Sequence, residues 1–127
     1  MISTLVLKDI RTVGMHHHCL IKQLDLGMKY TAQWEPICVY DPGNAIAVKD
    51  HRNITRAYFT REDAAIVSRL FCANVIVGKM YVTTRVERHV EVQNLGPQQE
   101  CVIQCKIKTT DLDLAKCFVE KLNYEFH

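Results

Sequence analysis

Residues 75–87, Val-Ile-Val-Gly-Lys-Met-Tyr-Val-Thr-Thr-Arg-Val-Glu, are the longest run of strand-forming residues in the chain, and they constrain its fold most. Alternation places Ile76, Met80, Val82 and Val86 on one face. Gly78 interrupts the run and predicts a bulge or bend. Asn94-Leu-Gly-Pro97 then turns the chain into a strand over 100–109. There Cys101, Ile103, Cys105 and Ile107 share one face, and Gln104, Lys106 and Lys108 share the other. A long hairpin bent at an internal glycine belongs to a sheet that curls.

The remaining strand signals are shorter. Residues 3–13 are rich in Val, Leu, Ile and Thr, and 28–35, 45–49 and 54–59 are further candidates, punctuated by Pro36, Pro42 and Gly43. Two helices interrupt the strands. Thr60-Arg-Glu-Asp63 has capping-box spacing with Asp in place of Glu, and Ala64, Val67 and Leu70/Phe71 follow at helical intervals. Residues 111–122 place Leu112, Ala115, Val119 and Leu122 on one stripe. Asp111 and Asp113 at the start and Lys116 and Lys121 further on suit the helix dipole. The expected architecture is mainly β: an OB-like curved β-barrel of about six strands, with one inserted helix and a C-terminal helix.

A length of 127 residues suits one domain over 1–127, and 48% hydrophobic with 24% charged residues is the usual globular balance. No run approaches a membrane span, and the first residues show neither the basic nor the apolar region of a secretory signal, so an intracellular, non-secreted protein is expected. Sixteen basic residues against fourteen acidic leave +2, too little for extensive non-specific backbone binding.

Six cysteines (19, 38, 72, 101, 105 and 117) include no Cys-x-x-Cys, so reduced thiols are expected and structural zinc is not. Cys101 and Cys105 are expected to pack as small hydrophobes. His16-His17-His18-Cys19 would need a further ligand such as Cys38 or His51 to hold a metal, and adjacent residues on a strand point to opposite faces. No metal or other cofactor is expected. Neither G-x-x-x-x-G-K-[ST] nor G-x-G-x-x-G occurs, and no nucleophile loop is recognisable, so the chain is expected to be a binding module rather than an enzyme. Residues 49–61 set Lys49, Arg52, Arg56 and Arg61 against the single Asp50, a local +3 with His51 neutral. Tyr40, Tyr58 and Phe59 lie in or near that stretch. Cations for phosphates beside flat rings for bases are what a single-strand binder uses.

The most specific stretch is Trp34-Glu-Pro-Ile-Cys-Val-Tyr-Asp-Pro-Gly-Asn-Ala-Ile-Ala-Val48. It resembles the central signature of HIRAN domains, in which Glu-Pro or Asp-Pro precedes Tyr/Glu-Asp and then Asn-Ala-Ile-x-Val. Val13-Gly-Met-His-His17 is similar to an early Val-Gly-Leu-Arg-Tyr element of the family. Ala57-Tyr-Phe-Thr-Arg-Glu-Asp-Ala64 is similar to its Gly-His/Tyr-Leu-Pro-Arg-Glu-Leu-Ala turn into a helix. Gly96-Pro97 with Glu100-Cys-Val-Ile-Gln-Cys105 is similar to its last strands. The resemblance spans roughly residues 4–108.

What this resemblance implies is an OB-like module that captures the 3′ end of single-stranded DNA in DNA repair or replication, in the nucleus. Tyr40 would stack on the terminal base and Asp41 would accept a hydrogen bond from the free 3′-hydroxyl. His16 stands where the family has an arginine, and His17 where it has a stacking tyrosine. Tyr58 takes the place of a phosphate-facing histidine and Arg61 that of a basic phosphate contact. Asn44 is expected to hold the turn after Asp41 through its side chain, with Lys49, Arg52 and Arg56 in support. Three departures accompany the match: Cys38 at a usually polar position, one extra residue in Pro42-Gly43, and Ala57 for glycine. The alternative expectation is a HIRAN-fold protein-interaction module without DNA binding.

Overall fold

The computed structural model describes residues 1–14, 24, 27–38, 41–92 and 96–126, with the backbone alone for 14 and 85–101. Its elements in chain order are β1 (Ser3–Gly14), β2 (Lys29–Trp34), β3 (Ile46–Lys49), β4 (Thr55–Phe59), α1 (Arg61–Cys72), β5 (Ile76–Val92), β6 (Gly96–Thr109), α2 (Leu112–Val119) and β7 (Asn123–Phe126). The strands are ordered β4-β3-β2-β5-β6-β1-β7, and a further pairing of β4 with β1 closes the first six into an antiparallel barrel. The expected mainly-β barrel with two helices is therefore present. β7, too short and polar to announce itself in the sequence, is added outside the closed ring.

β1 shows how the barrel closes. β6 runs along one edge of it, while the other edge is shared: β7 pairs with residues 5–8 and β4 with residues 12–14. Between these partners the register slips at Lys8-Asp9, and Asp9 takes φ 58°. The bulge resets the alternation, so that Leu5, Leu7, Ile10 and Thr12 all face the interior. Asp9 accepts a 2.7 Å hydrogen bond from the Asn123 side chain, pinning β7 at this point.

At the same switch the main chain of Arg11 turns to α1. Its N–H donates to Asp63 Oδ2 at 2.8 Å, and its carbonyl accepts from Thr60 N at 2.9 Å. This corrects the expected capping box. Thr60 is the N-cap residue but makes no side-chain cap bond, and its hydroxyl is buried without a partner. Asp63 satisfies β1 instead of its own helix end. A backbone donor at a strand switch costs more when orphaned than a helix terminus that water can reach.

The bend in the long hairpin lies where Gly78 predicts it. Gly78 has φ +73°, and the register jumps between Val77 and Tyr81. A second slip falls between Thr84 and Val86. The inward faces match the alternation: Met80, Val82, Ile103, Cys105 and Ile107 are buried, and Lys106 and Lys108 are exposed. Ile76 is only half-buried. Burial pushes the Cys105 thiol far up, as befits a packed thiol, with Asp63 adding to the effect. Ala64, Val67 and Leu70 of α1 and Ala115 and Val119 of α2 join this core. Asp111 caps α2 by accepting from Leu114 N at 3.1 Å. Among the described residues, no helix is long and apolar enough to cross a membrane, and Cys38, Cys72, Cys105 and Cys117 are free thiols.

Candidate functional site

The β2–β3 connection carries the most specific part of the sequence, and its described residues are held at several points. Trp34 Nε1 donates to the Gly43 carbonyl at 2.9 Å, and Gly43 N donates to Pro36 O at 2.7 Å. Glu35 N donates to Ala45 O at 2.8 Å, and the Asp41 carbonyl accepts from both Asn44 N and Ala45 N. Gly43 sits at φ +86°, a conformation that glycine adopts without strain. The extra Pro42-Gly43 residue is thus absorbed by a turn that only a glycine makes cheaply. Asp41 ends up half-buried, with its carbonyl fixed by the bonds from Asn44 and Ala45.

Asn44 supports this loop, though not in the expected manner. Its side-chain oxygen accepts from Ser68 Oγ of α1 at 3.2 Å, while the turn after Asp41 is closed by backbone bonds. The residue therefore ties the loop to α1. Trp34 and Phe71 of α1 make a second tie, their rings stacked at 6.4 Å between centroids.

Tyr58 lies in the middle of β4, opposite Ala47 of β3 and Val13 of β1. Ala57 and Phe59 on either side of it point into the core. The Tyr58 hydroxyl donates to Glu35 Oε1 at 2.7 Å. Burial pushes the phenol well above its ordinary value, and the Glu35 hydrogen bond and charge push it further, with Cys38 also beside it. Glu35 is the partner that the sequence did not reveal. The only signal for it was its place next to Pro36, and strand pairing, not spacing, brings it to Tyr58.

The basic segment 49–61 is partly neutralised by its own aspartate. Asp50 Oδ1 accepts from Arg52 N and Ile54 N at 2.9 and 3.1 Å, shaping the β3–β4 turn with Asn53 at φ 64°. Asp50 Oδ2 pairs with Arg56 at 3.1 Å, both side chains being nearly enclosed. Burial alone would raise the Asp50 carboxyl. The two backbone donors and the Arg56 charge outweigh it and hold the group below its ordinary value. Arg56 is thus committed to the hairpin. Lys49 is half-buried at the end of β3, and Arg52 and His51 are exposed on the turn. Arg61, the first residue of α1, is exposed.

Asp41, Asn44, Tyr58 and Arg61 therefore belong to the β2–β3 loop, β4 and the start of α1; Glu35 ties Tyr58 to the loop and Ser68 ties Asn44 to α1. Lys49, Arg52 and Arg56 belong to the β3–β4 hairpin: the end of β3, the turn and β4 itself. His16, His17 and Tyr40 lie outside the described residues, as does the whole His16–Cys19 run. Among the described residues, no three His, Cys, Asp or Glu side chains gather as a metal site.

No family model matches the sequence, and no curated protein is similar to it at a significant level. The fold is similar to a solved one. The crystal structure of the HIRAN domain of human HLTF superposes with a TM-score of 0.62 at 11% identity, covering 94% of this chain and 89% of that one. At that identity the likeness is one of fold: this chain has the fold of a HIRAN domain.

Proposed function

We propose that the chain is a nucleic-acid-binding module that recognises single-stranded DNA at a free 3′ end, in a nuclear repair or replication setting. The observation that carries this reading is the loop bearing Asp41, fixed by Trp34, Gly43 and Ala45 on a HIRAN-like barrel. A carboxylate on a fixed loop accepts a hydrogen bond from a terminal hydroxyl and repels a terminal phosphate. Tyr40, next to Asp41 in sequence, supplies the ring for the last base. His16 and His17, at the positions of the family's arginine and stacking tyrosine, add contacts to the strand, and Arg61 at the start of α1 meets a phosphate. Tyr58 contributes by holding Glu35, so its part in this chain is to position the loop.

Fluorescence anisotropy with oligonucleotides bearing a 3′-hydroxyl or a 3′-phosphate tests this. Tighter binding of the hydroxyl end, lost in Asp41→Ala, is the expected result. Arg61→Ala should weaken both substrates and lower the salt slope by about 0.7. Equal affinity for the two ends in the unmodified protein sinks the reading.

A second reading has its own support. Tyr58 is engaged by Glu35 and Arg56 by Asp50, which leaves fewer groups for phosphates than the sequence offers. On that reading the barrel is a protein-interaction module that does not bind DNA. Partners that persist in a pull-down after nuclease treatment, together with no oligonucleotide binding, would favour it.

A further inference from the structure

Away from the Asp41 loop, the outer surface of β2, β5 and β6 carries an open groove of about 450 Å³. Lys29, Lys79, Lys106 and Lys108 line it, and among the described residues no acidic one does. Register brings them together from three strands: Lys106 lies opposite Tyr81 and Lys108 opposite Val77. Lys29 Nζ sits 4.5 Å from the centre of the Tyr81 ring. All four lysines are exposed, Tyr81 is 41% exposed, and none of the four forms an ion pair among the described residues. In a chain whose net charge is only +2, four uncompensated cations on one face are a local concentration that strand pairing alone creates.

The groove does not end at the lysines. At the Gly78–Lys79 bulge it meets a second recess of about 380 Å³, walled by the Trp34 and Phe71 rings. Gly78, at φ +73°, leaves the space over the bulge open, since it has no side chain to fill it. A row of lysines running into an aromatic recess has the chemistry of a single-strand path: ammonium groups for phosphates, flat rings for a base. An acidic peptide would satisfy the lysines but has no use for the rings.

We propose that this groove is a second nucleic-acid contact, in which Lys29, Lys79, Lys106 and Lys108 track the phosphates of a single strand and the Trp34–Phe71 recess takes a base. The groove reads no terminus, and its lysines and Tyr81 lie outside the Asp41 loop; Trp34 alone touches both, through its ring here and its Nε1 bond to Gly43 there, so variants of the lysines test the groove separately. A strand held here is bound through its interior.

A circular single-stranded oligonucleotide has no end and isolates this contact. The full chain should bind it at low salt. Lys106→Glu with Lys108→Glu should weaken that binding by about tenfold or more and lower the salt slope by more than about one unit. Tyr81→Ala should weaken it less. Unchanged thermal melting of these surface variants separates lost contact from lost fold. The proposal is overturned if the circle does not bind, if the double variant binds it as the unmodified protein does, or if polyglutamate displaces it as well as a linear oligonucleotide does.

Discussion

In the β3–β4 hairpin Arg56 is tied to Asp50 and the turn is built on that same carboxylate, whereas on the β2–β5–β6 face Lys29, Lys79, Lys106 and Lys108 line a groove with no carboxylate among the described residues. The hairpin looks the more basic region in the sequence, since its charges are neighbours there. Folding reverses the order. Charges close in sequence are within reach of their own aspartate, and a nearly enclosed pair is worth more to the turn than to a ligand. Lysines drawn from three strands meet no acidic partner among the described residues, so the fold assembles them without that neutralisation.

The largest effect that sharpens this comparison is on binding. Charge reversal of Lys106 and Lys108 should cost about tenfold or more in affinity for single strands, whereas Arg56→Ala should act mainly on stability. Oligonucleotide titrations and urea unfolding of both variants measure the contrast, and a reversed pattern breaks it. Next comes the β1–α1 joint. Asp63→Ala leaves the Arg11 N–H without its acceptor and should destabilise the fold by about 1–3 kcal/mol in urea unfolding, with no change in the salt slope of binding.

Asp50 gives a smaller effect with a definite sign. Its folded pKa lies below the ordinary aspartate value of about 3.9. Its contribution to stability is therefore fully present above that value and is lost as pH falls through the lowered folded pKa. Asp50→Asn should destabilise the hairpin by about 1 kcal/mol near neutral pH and flatten the acid limb of the melting profile below about pH 4. The smallest effect belongs to Thr60. Its hydroxyl is buried and unpartnered, so Thr60→Val should leave the unfolding free energy within about 0.5 kcal/mol of the original or raise it. A clear loss there would restore the side-chain cap.

The same contrast explains what was legible in the sequence. Alternation in 75–87 and 100–109, with the break at Gly78, predicted the bent hairpin, because period and glycine conformation are local properties. The stripes of α1 and α2 were legible for the same reason. The Thr60–Asp63 spacing misled, because the competing donor, Arg11 N, lies 52 residues from Asp63 and only strand closure brings it near. β7 was missed because Asn-Tyr-Glu-Phe alternates over only four residues, too short a run to stand out from a chain end. Its place depends on an edge of β1 that β4 leaves uncovered. In the candidate site the motif singles out Asp41, Asn44 and Tyr58, but carries no sign that Glu35 bonds Tyr58 or that Ser68 bonds Asn44. The lysine groove was invisible to any window, since residues 29, 79, 106 and 108 meet only through register.

The most direct test of the functional account is the ratio of dissociation constants for one oligonucleotide ending in a 3′-hydroxyl or a 3′-phosphate, measured on the unmodified protein and on Asp41→Ala. The account predicts tighter binding of the hydroxyl end and a ratio that falls to one in the variant. A ratio of one in the unmodified protein, or a preference that survives Asp41→Ala, would contradict it.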